Sequence, residues 1–344
     1  MFPLKPFFYL IICLTLLTCG NDSDKPKNDY TLTLNATNNV ISNAETLALN
    51  VGNPKQKEIK SIEYRLGGNV ITDKTDLTDA KLGLHEVQVE VYFEGGSEVL
   101  SQYITIVNST APKVYGFNIL NEYPHDITSY TQGLEFYNGN LYESTGQRGE
   151  SKLRKIDVET GEIKNNVNLA ASLFGEGLTV LNGKVYQLTW QSNLGFVYDA
   201  ETLERKSTFK YGESKEGWGL CNDGKILYKT DGTESIWTLD PETLVETGRI
   251  QAYTNRGKIV GLNELEWIDG MIYANRYQKN GVAIINPKNG AIEGVIDFSS
   301  LKAKVEQHPK LDVLNGIAYN PDTKTIFVTG KNWNKVFEVE IVDK

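Results

Sequence analysis

The side chains able to do chemistry are few, and their types narrow the choice at once. The chain holds three His and three Cys. His85, His125 and His308 stand far apart and none falls in an HExxH-like pattern. A zinc centre needs three or four clustered nitrogen, sulfur or carboxylate ligands, so it has almost nothing to draw on. A Ser-His-Asp or Cys-His hydrolase would have to recruit one of the same histidines, and no nucleophile motif lies near any of them. Cys13 and Cys19 lie in an apolar leader, which leaves Cys221 without a disulfide partner; it reads as a small buried hydrophobe. What remains is carboxylate, amide and amine chemistry. Gln132, Glu176, Trp218, Asn263 and Asn315 stand out, each in a short block containing glycine or Leu-Glu. A repeat kept for structure alone would use one residue type at such positions. Amide, carboxylate, indole, amide and amide is the variation a binding pocket needs.

These five belong to a repeat. In TQGLEFYNGNLYESTG, GEGLTVLNGKVYQLTW, GWGLCNDGKILYKTDG, LNELEWIDGMIYANRY and LNGIAYNPDTKTIFVTGK, a polar turn leads to a strand, a tight turn and a second strand. The aligned aromatics Tyr142, Tyr186, Tyr228, Tyr273 and Phe327 are spaced by 44, 42, 45 and 54 residues. After the first four come turns with an Asp or Asn core, as in KIDVETGEI and VYDAETLER. A period of ~40–50 residues with four strands per unit predicts a β-propeller, here five-bladed over 114–344. The last unit ends without a partner strand, and VYGFNIL (114–120) is placed to complete it and remove an exposed edge. The longest spacing leaves room for SSLKAKVEQHPKLD (299–312) as a short helical excursion.

Ahead of the repeat, 30–108 shows alternating runs such as HEVQVEVYF and VLSQYITIV between Gly- or Asn-rich turns, which predicts a small immunoglobulin-like β-sandwich. His85 opens one of its strands and reads as structural. The segment from Asn108 to Lys113 reads as a linker. The whole is therefore all-β. Length and composition agree: 344 residues leave room for two domains, and 40% apolar with 23% charged residues is globular. A net charge of −9 argues against nucleic-acid binding through basic patches.

At the start, Lys5 and an apolar run from Phe7 to Leu17 form a signal-peptide core too short for a comfortable span. Leu16-Leu17-Thr18-Cys19 resembles a lipobox. The expectation is a lipoprotein signal peptide over 1–19, lipidation of Cys19, a polar tether over 20–29, and a cell-envelope location reached through the lipid anchor. The sandwich reads as a spacer or partner-docking module, and a monomer is expected.

The blocks YTQGLEF, LYESTGQRGES, FGEGLT, YQLTW, GFVYD, EGWGL, LNELEW, YANRYQ, VLNGIAY and FVTGKNW together resemble the plant- and bacterial-type glutaminyl cyclases, or glutamine cyclotransferases. The likeness runs in order over about 120–340. It implies a five-bladed propeller that converts N-terminal glutamine of peptides to pyroglutamate with release of ammonia, without catalytic zinc. Position by position, it implies Glu176 as the catalytic carboxylate, with Gln132, Asn263 and Lys331 as its amide and amine partners. It places Tyr130, Phe174, Trp190 and Trp218 around the substrate, and Tyr277 where the family commonly has Trp. An aromatic wall with a hydrogen-bonding tip survives that change, so altered affinity is expected rather than lost activity. Burial against aromatics would raise the Glu176 pKa and Lys331 would lower it; the sequence leaves the balance open. No cofactor is expected, and a structural calcium on the ring axis leaves no signature in sequence. The competing readings are a non-catalytic propeller binding module on a surface lipoprotein, a lactonase-type metal site built from Glu176, Asn263 and Asn315, and a functional sandwich carrying the rest as cargo.

Overall fold

The computed structural model describes residues 29–344, so the leader, Cys19 and nearly all of the 20–29 tether lie outside the described residues. Among those residues every regular element is a strand, apart from one 3₁₀ turn at Leu301–Lys304 within the 299–312 excursion.

Two sheets come first. Thr31–Leu34, Thr46–Gly52 and Lys74–Asp76 form one; the other runs in the order Val40–Ser42, Gly96–Val107, Gly83–Phe93, Ile59–Leu66, Asn69–Ile71. Alternation along the long strands sends Val87, Val89, Val91, Leu100, Ile104 and Ile106 into a core shared with Leu47 and Leu49. That core also takes in Tyr253 and Ala291 from farther along the chain, which bridge to each other. Leu82 N donates to Asn289 O there at 2.8 Å.

From residue 113 onward the strands fall into five units of four, with one extra two-stranded hairpin, Tyr253–Thr254 and Gly257–Lys258, between the third and fourth. Their innermost strands are Thr131–Tyr137, Gly175–Leu181, Leu220–Asn222, Leu262–Ile268 and Leu314–Asn320. These are nearly continuous buried runs, whereas rim strands such as Ile163–Asn168 alternate between exposed and half-buried. The second strand of each unit carries its aligned aromatic, Tyr142, Tyr186, Tyr228, Tyr273 or Phe327. A separate apolar core fills each gap between neighbouring units. The last one packs Leu134, Leu141 and Ile156 of the first unit against Ala318, Phe327 and Val336 of the fifth, so the units close into a ring.

Local sequence explains the regularity. Asn138-Gly139, Asn182-Gly183 and Asp269-Gly270 all have both φ angles positive, the geometry of a two-residue type I′ hairpin, joining first and second strands. Between third and fourth strands, Asp157, Asp199 and Asp240 each accept from the backbone N–H and hydroxyl of the Thr three residues on. The fourth strand of the fifth unit is Lys113–Pro124, which pairs antiparallel with Lys335–Asp343 (Phe337 opposite Glu122, Ile341 opposite Phe117). The same strand also pairs in parallel with Ile292–Asp297, placing Gly294 beside Lys113. The fourth and fifth units are thereby hydrogen-bonded into one eight-stranded sheet.

Candidate active site

At one mouth of the ring, residues from all five units line a cavity of about 200 Å³: Tyr130, Gln132, Gln147, Phe174, Glu176, Trp190, Trp218, Asn263, Tyr277 and Lys331. All nine pocket residues named from the sequence stand here, and Gln147 joins them. Four of the five ring positions enter the wall directly. Asn315, the fifth, sits behind it, its Nδ2 donating to Gln132 Oε1 at 3.1 Å and to Thr131 O at 2.9 Å.

Glycines let the inner strands converge closely enough to do this. A Cβ at Gly219 would lie 1.9 Å from Asn263 O, and one at Gly146 would lie 2.3 Å from the Phe174 ring. Neighbouring strands therefore bring Trp218 and Asn263, and likewise Phe174 and Gln132, into one wall.

Glu176 is 5% exposed. Gln132 Nε2 donates to its Oε1 at 3.0 Å, while Oε2 has no partner among the described residues. Burial pushes its pKa well above the ordinary carboxylate range; Lys331 pulls it down less strongly, and the nearby Glu216 adds to the rise. Burial wins the contest that the sequence left open. Lys331, 2% exposed, has its Nζ 4.7 Å from the Tyr130 ring centroid and 5.3 Å from that of Tyr277. Burial lowers its pKa, opposed by Glu176 and Asp312. Tyr130 is fixed in turn by a 2.8 Å hydrogen bond to Asp312 Oδ2. The Asn263 side-chain oxygen is buried without a partner among the described residues.

Both indoles are held by one carboxylate that the sequence reading missed. Trp190 Nε1 and Trp218 Nε1 each donate to Glu216 Oε2 at 2.8 Å. Phe174 meets Trp190 edge-on at 5.6 Å, and Trp218 meets Tyr277 edge-on at 5.8 Å. Beneath, the buried Lys229 donates to Glu216 O at 2.8 Å and anchors the loop; burial pulls its pKa down to about 8. In the sequence Glu216 looks like a solvated charge in KEGWGL. Its only signal is its place two residues before a pocket tryptophan.

The histidines do other work. His125 is buried, with Nδ1 donating to Trp333 O at 2.8 Å and Nε2 facing Glu143 at 3.0 Å. Thr131 and Ser129 also donate to Glu143, so the network fixes the segment that carries Tyr130. Cys221 is buried, and burial raises its thiol pKa. Among the described residues, no group of three or more His, Cys, Asp or Glu is arranged to hold a metal ion.

A buried carboxylate, a buried cation, amides and an aromatic enclosure sized for one side chain make a site for proton transfer on a small polar group. Comparison with known proteins agrees. The family described as glutamine cyclotransferase matches residues 97–341, and the chain belongs to that family. The glutaminyl-peptide cyclotransferase of Arabidopsis thaliana is 39% identical over 233 residues, 67% of this chain and 72% of the plant protein. Among solved structures, the glutaminyl cyclase of Myxococcus xanthus aligns with a TM-score of 0.63 at 35% identity, covering 67% of this chain and 98% of that one.

Proposed function

We infer that the chain is a glutaminyl-peptide cyclotransferase, turning N-terminal glutamine of peptides or proteins into pyroglutamate with release of ammonia, and that Glu176 is its proton carrier. The observation that carries the mechanism is the buried Glu176 carboxyl, held by Gln132 on one oxygen and free on the other. The substrate's α-amine attacks its own γ-carboxamide carbon, so the protein need only fold the side chain back and move a proton. The N–C bond forms, Glu176 Oε2 takes the proton from the amine, and the same proton goes to the amide nitrogen as its C–N bond breaks and ammonia leaves. An α-amine titrates at about 7.7–8.0, so a neutral fraction is present at pH 7, and a carboxyl whose pKa burial raises holds and returns its proton more readily than an ordinary one. The Lys331 ammonium has no hydrogen bond or ion pair among the described residues and lines the cavity, so it is the donor for the oxyanion. Gln132 is engaged in orienting Glu176, and the free Asn263 oxygen accepts from the attacking amine. Trp190, Trp218, Phe174, Tyr130 and Tyr277 enclose the side chain and exclude water.

The reaction as written needs no metal, and a cation beside Lys331 would be repelled. The five closed units are read as a five-bladed β-propeller over 114–344, and the two leading sheets as an immunoglobulin-like sandwich over 30–108. For the leader, the apolar run and Leu-Leu-Thr-Cys support a signal over 1–19 with Cys19 lipidated, and an envelope lipoprotein that is otherwise a monomer. Metabolic labelling with a fatty acid tests this: label should enter the protein and be lost in Cys19→Ala. The activity is tested by mass spectrometry of a Gln-initiated peptide, which should lose one ammonia at its first residue. An unchanged peptide contradicts the reading.

A further inference from the structure

Beside the catalytic pocket lies a larger cavity, of about 770 Å³, that shares Tyr130 and Gln147 with it. The smaller cavity accommodates one side chain, so the chain following an N-terminal glutamine has to leave it, and the larger one begins at the shared wall. Gln147 marks the join. Its φ of 81° is rare for a residue with a side chain. Its carbonyl accepts from Glu150 N at 3.0 Å and Ser151 Oγ at 2.7 Å, which locks the backbone while leaving the side-chain amide at the passage without a hydrogen bond among the described residues.

The charge of the larger cavity is one-sided. Arg148, Lys152 and Lys310 line it against a single carboxylate, Glu150. Among the described residues none of the three cations is in an ion pair. His308, also in the lining, has both ring nitrogens occupied: Nε2 donates to Asn332 O at 2.8 Å and Nδ1 accepts from Lys310 N at 3.3 Å. That fixes the backbone presenting Lys310. In a molecule of net charge −9 this excess of positive charge is local, and a cleft of one sign selects ligands of the other.

We propose that this cavity receives the second and third residues of the substrate peptide and favours acidic side chains there. The proposal rests on the cyclotransferase reading. Arg148 and Lys310 are exposed and Lys152 is half-buried, and charges this open to water give modest selectivity, about fivefold to tenfold at low ionic strength and less as salt rises.

The test uses the full protein and three peptides of equal length, Gln-Glu-Glu, Gln-Ala-Ala and Gln-Lys-Lys, with kcat/KM taken from ammonia release at low and high salt. The acidic peptide should exceed the basic one by about fivefold to tenfold at low salt and approach it at high salt. In Lys152→Glu/Lys310→Glu the ratio should invert. Because the ratio is taken within each enzyme, any general loss of activity cancels. Equal kcat/KM for all three peptides, or a preference that survives charge reversal, overturns the groove alone. Absence of ammonia from all three overturns the cyclotransferase reading and the groove's role with it.

Discussion

Glu216 acts on the pocket through two kinds of force, and two substitutions separate them. Its Oε2 holds both indole N–H groups, and its charge raises the Glu176 pKa. Glu216→Gln keeps an acceptor oxygen and removes the charge. The Glu176 pKa should then fall, and the acid limb of the kcat profile should move to lower pH, as stopped assays across pH would show. Glu216→Ala frees both indoles as well, and KM should rise about tenfold, the cost of one or two charge-assisted hydrogen bonds. Lys331→Met works in the opposite sense on pH. It removes the cation that lowers the Glu176 pKa, so the acid limb should move up while kcat falls by ~10²–10³-fold through the lost oxyanion donor. At this scale Glu176 was legible as one of five unlike residues at equivalent positions of the repeat, whereas Lys331 entered only through the resemblance to the glutaminyl cyclases. Glu216 and Lys229 were illegible because their partners, Trp190 and the 214–216 loop, lie 13 to 26 residues away along the chain.

The inner strands set the distances between those side chains, and glycine sets the distance between the strands. Gly219→Ala should destabilise the fold by about 1–3 kcal/mol, because the new Cβ would meet Asn263 O at 1.9 Å and a backbone must give way. Since Trp218 and Asn263 flank the clash, activity per folded molecule should fall too. Gly139→Ala is the contrast. Nothing lies within 4 Å of its Cβ, so thermal unfolding should register only the ~1 kcal/mol strain of its positive φ, with turnover intact. The repeat made these strands readable, because Asn-Gly and Asp-Gly hairpins and Asp-x-x-Thr turns are written locally. The second role of Lys113–Pro124, pairing in parallel with Ile292–Asp297, was not readable. It depends on the outer strands of two neighbouring units meeting edge to edge, and no residue type announces that.

Around the ring as a whole, several carboxyls are buried away from any cation, and they tie stability to pH. Burial pushes Glu135 up to about 7, against the hydrogen bonds from Thr179 and Val180, and raises Glu264 and Glu266 well above the ordinary range, with repulsion from Glu135 adding to both. Glu264 accepts from Leu134 N at 3.2 Å and Ile317 N at 2.9 Å, linking the fourth unit to the first and fifth. The native state holds protons on these groups that the unfolded chain releases above about 4.5, so stability falls as pH rises from there through 7. His125 adds to the trend, since its raised pKa contributes stability below about 6.5 that is lost as pH rises through the folded value. On the acid side Asp157 and Asp297, held down to about 2, lose their contribution below about 4. Thermal unfolding should therefore show the highest Tm near pH 5 with a decline towards pH 8, and Glu135→Gln should flatten that decline. The sequence shows Glu135, Glu264 and Glu266 as strand residues of no special kind. Only closure of the ring turns their side chains towards one another.

Glu176 as the proton carrier is the central feature of the proposed reaction. The most direct test is ammonia release from a Gln-initiated dipeptide by the wild type and by Glu176→Gln, each with a chelator present. Gln is the same size and keeps a polar tip beside Gln132, so the pocket should persist while the proton carrier is gone. Chelator-resistant release by the wild type, reduced by ~10²–10⁴-fold in the variant, is the predicted result. Near-normal release by the variant, or release abolished by the chelator, would contradict it.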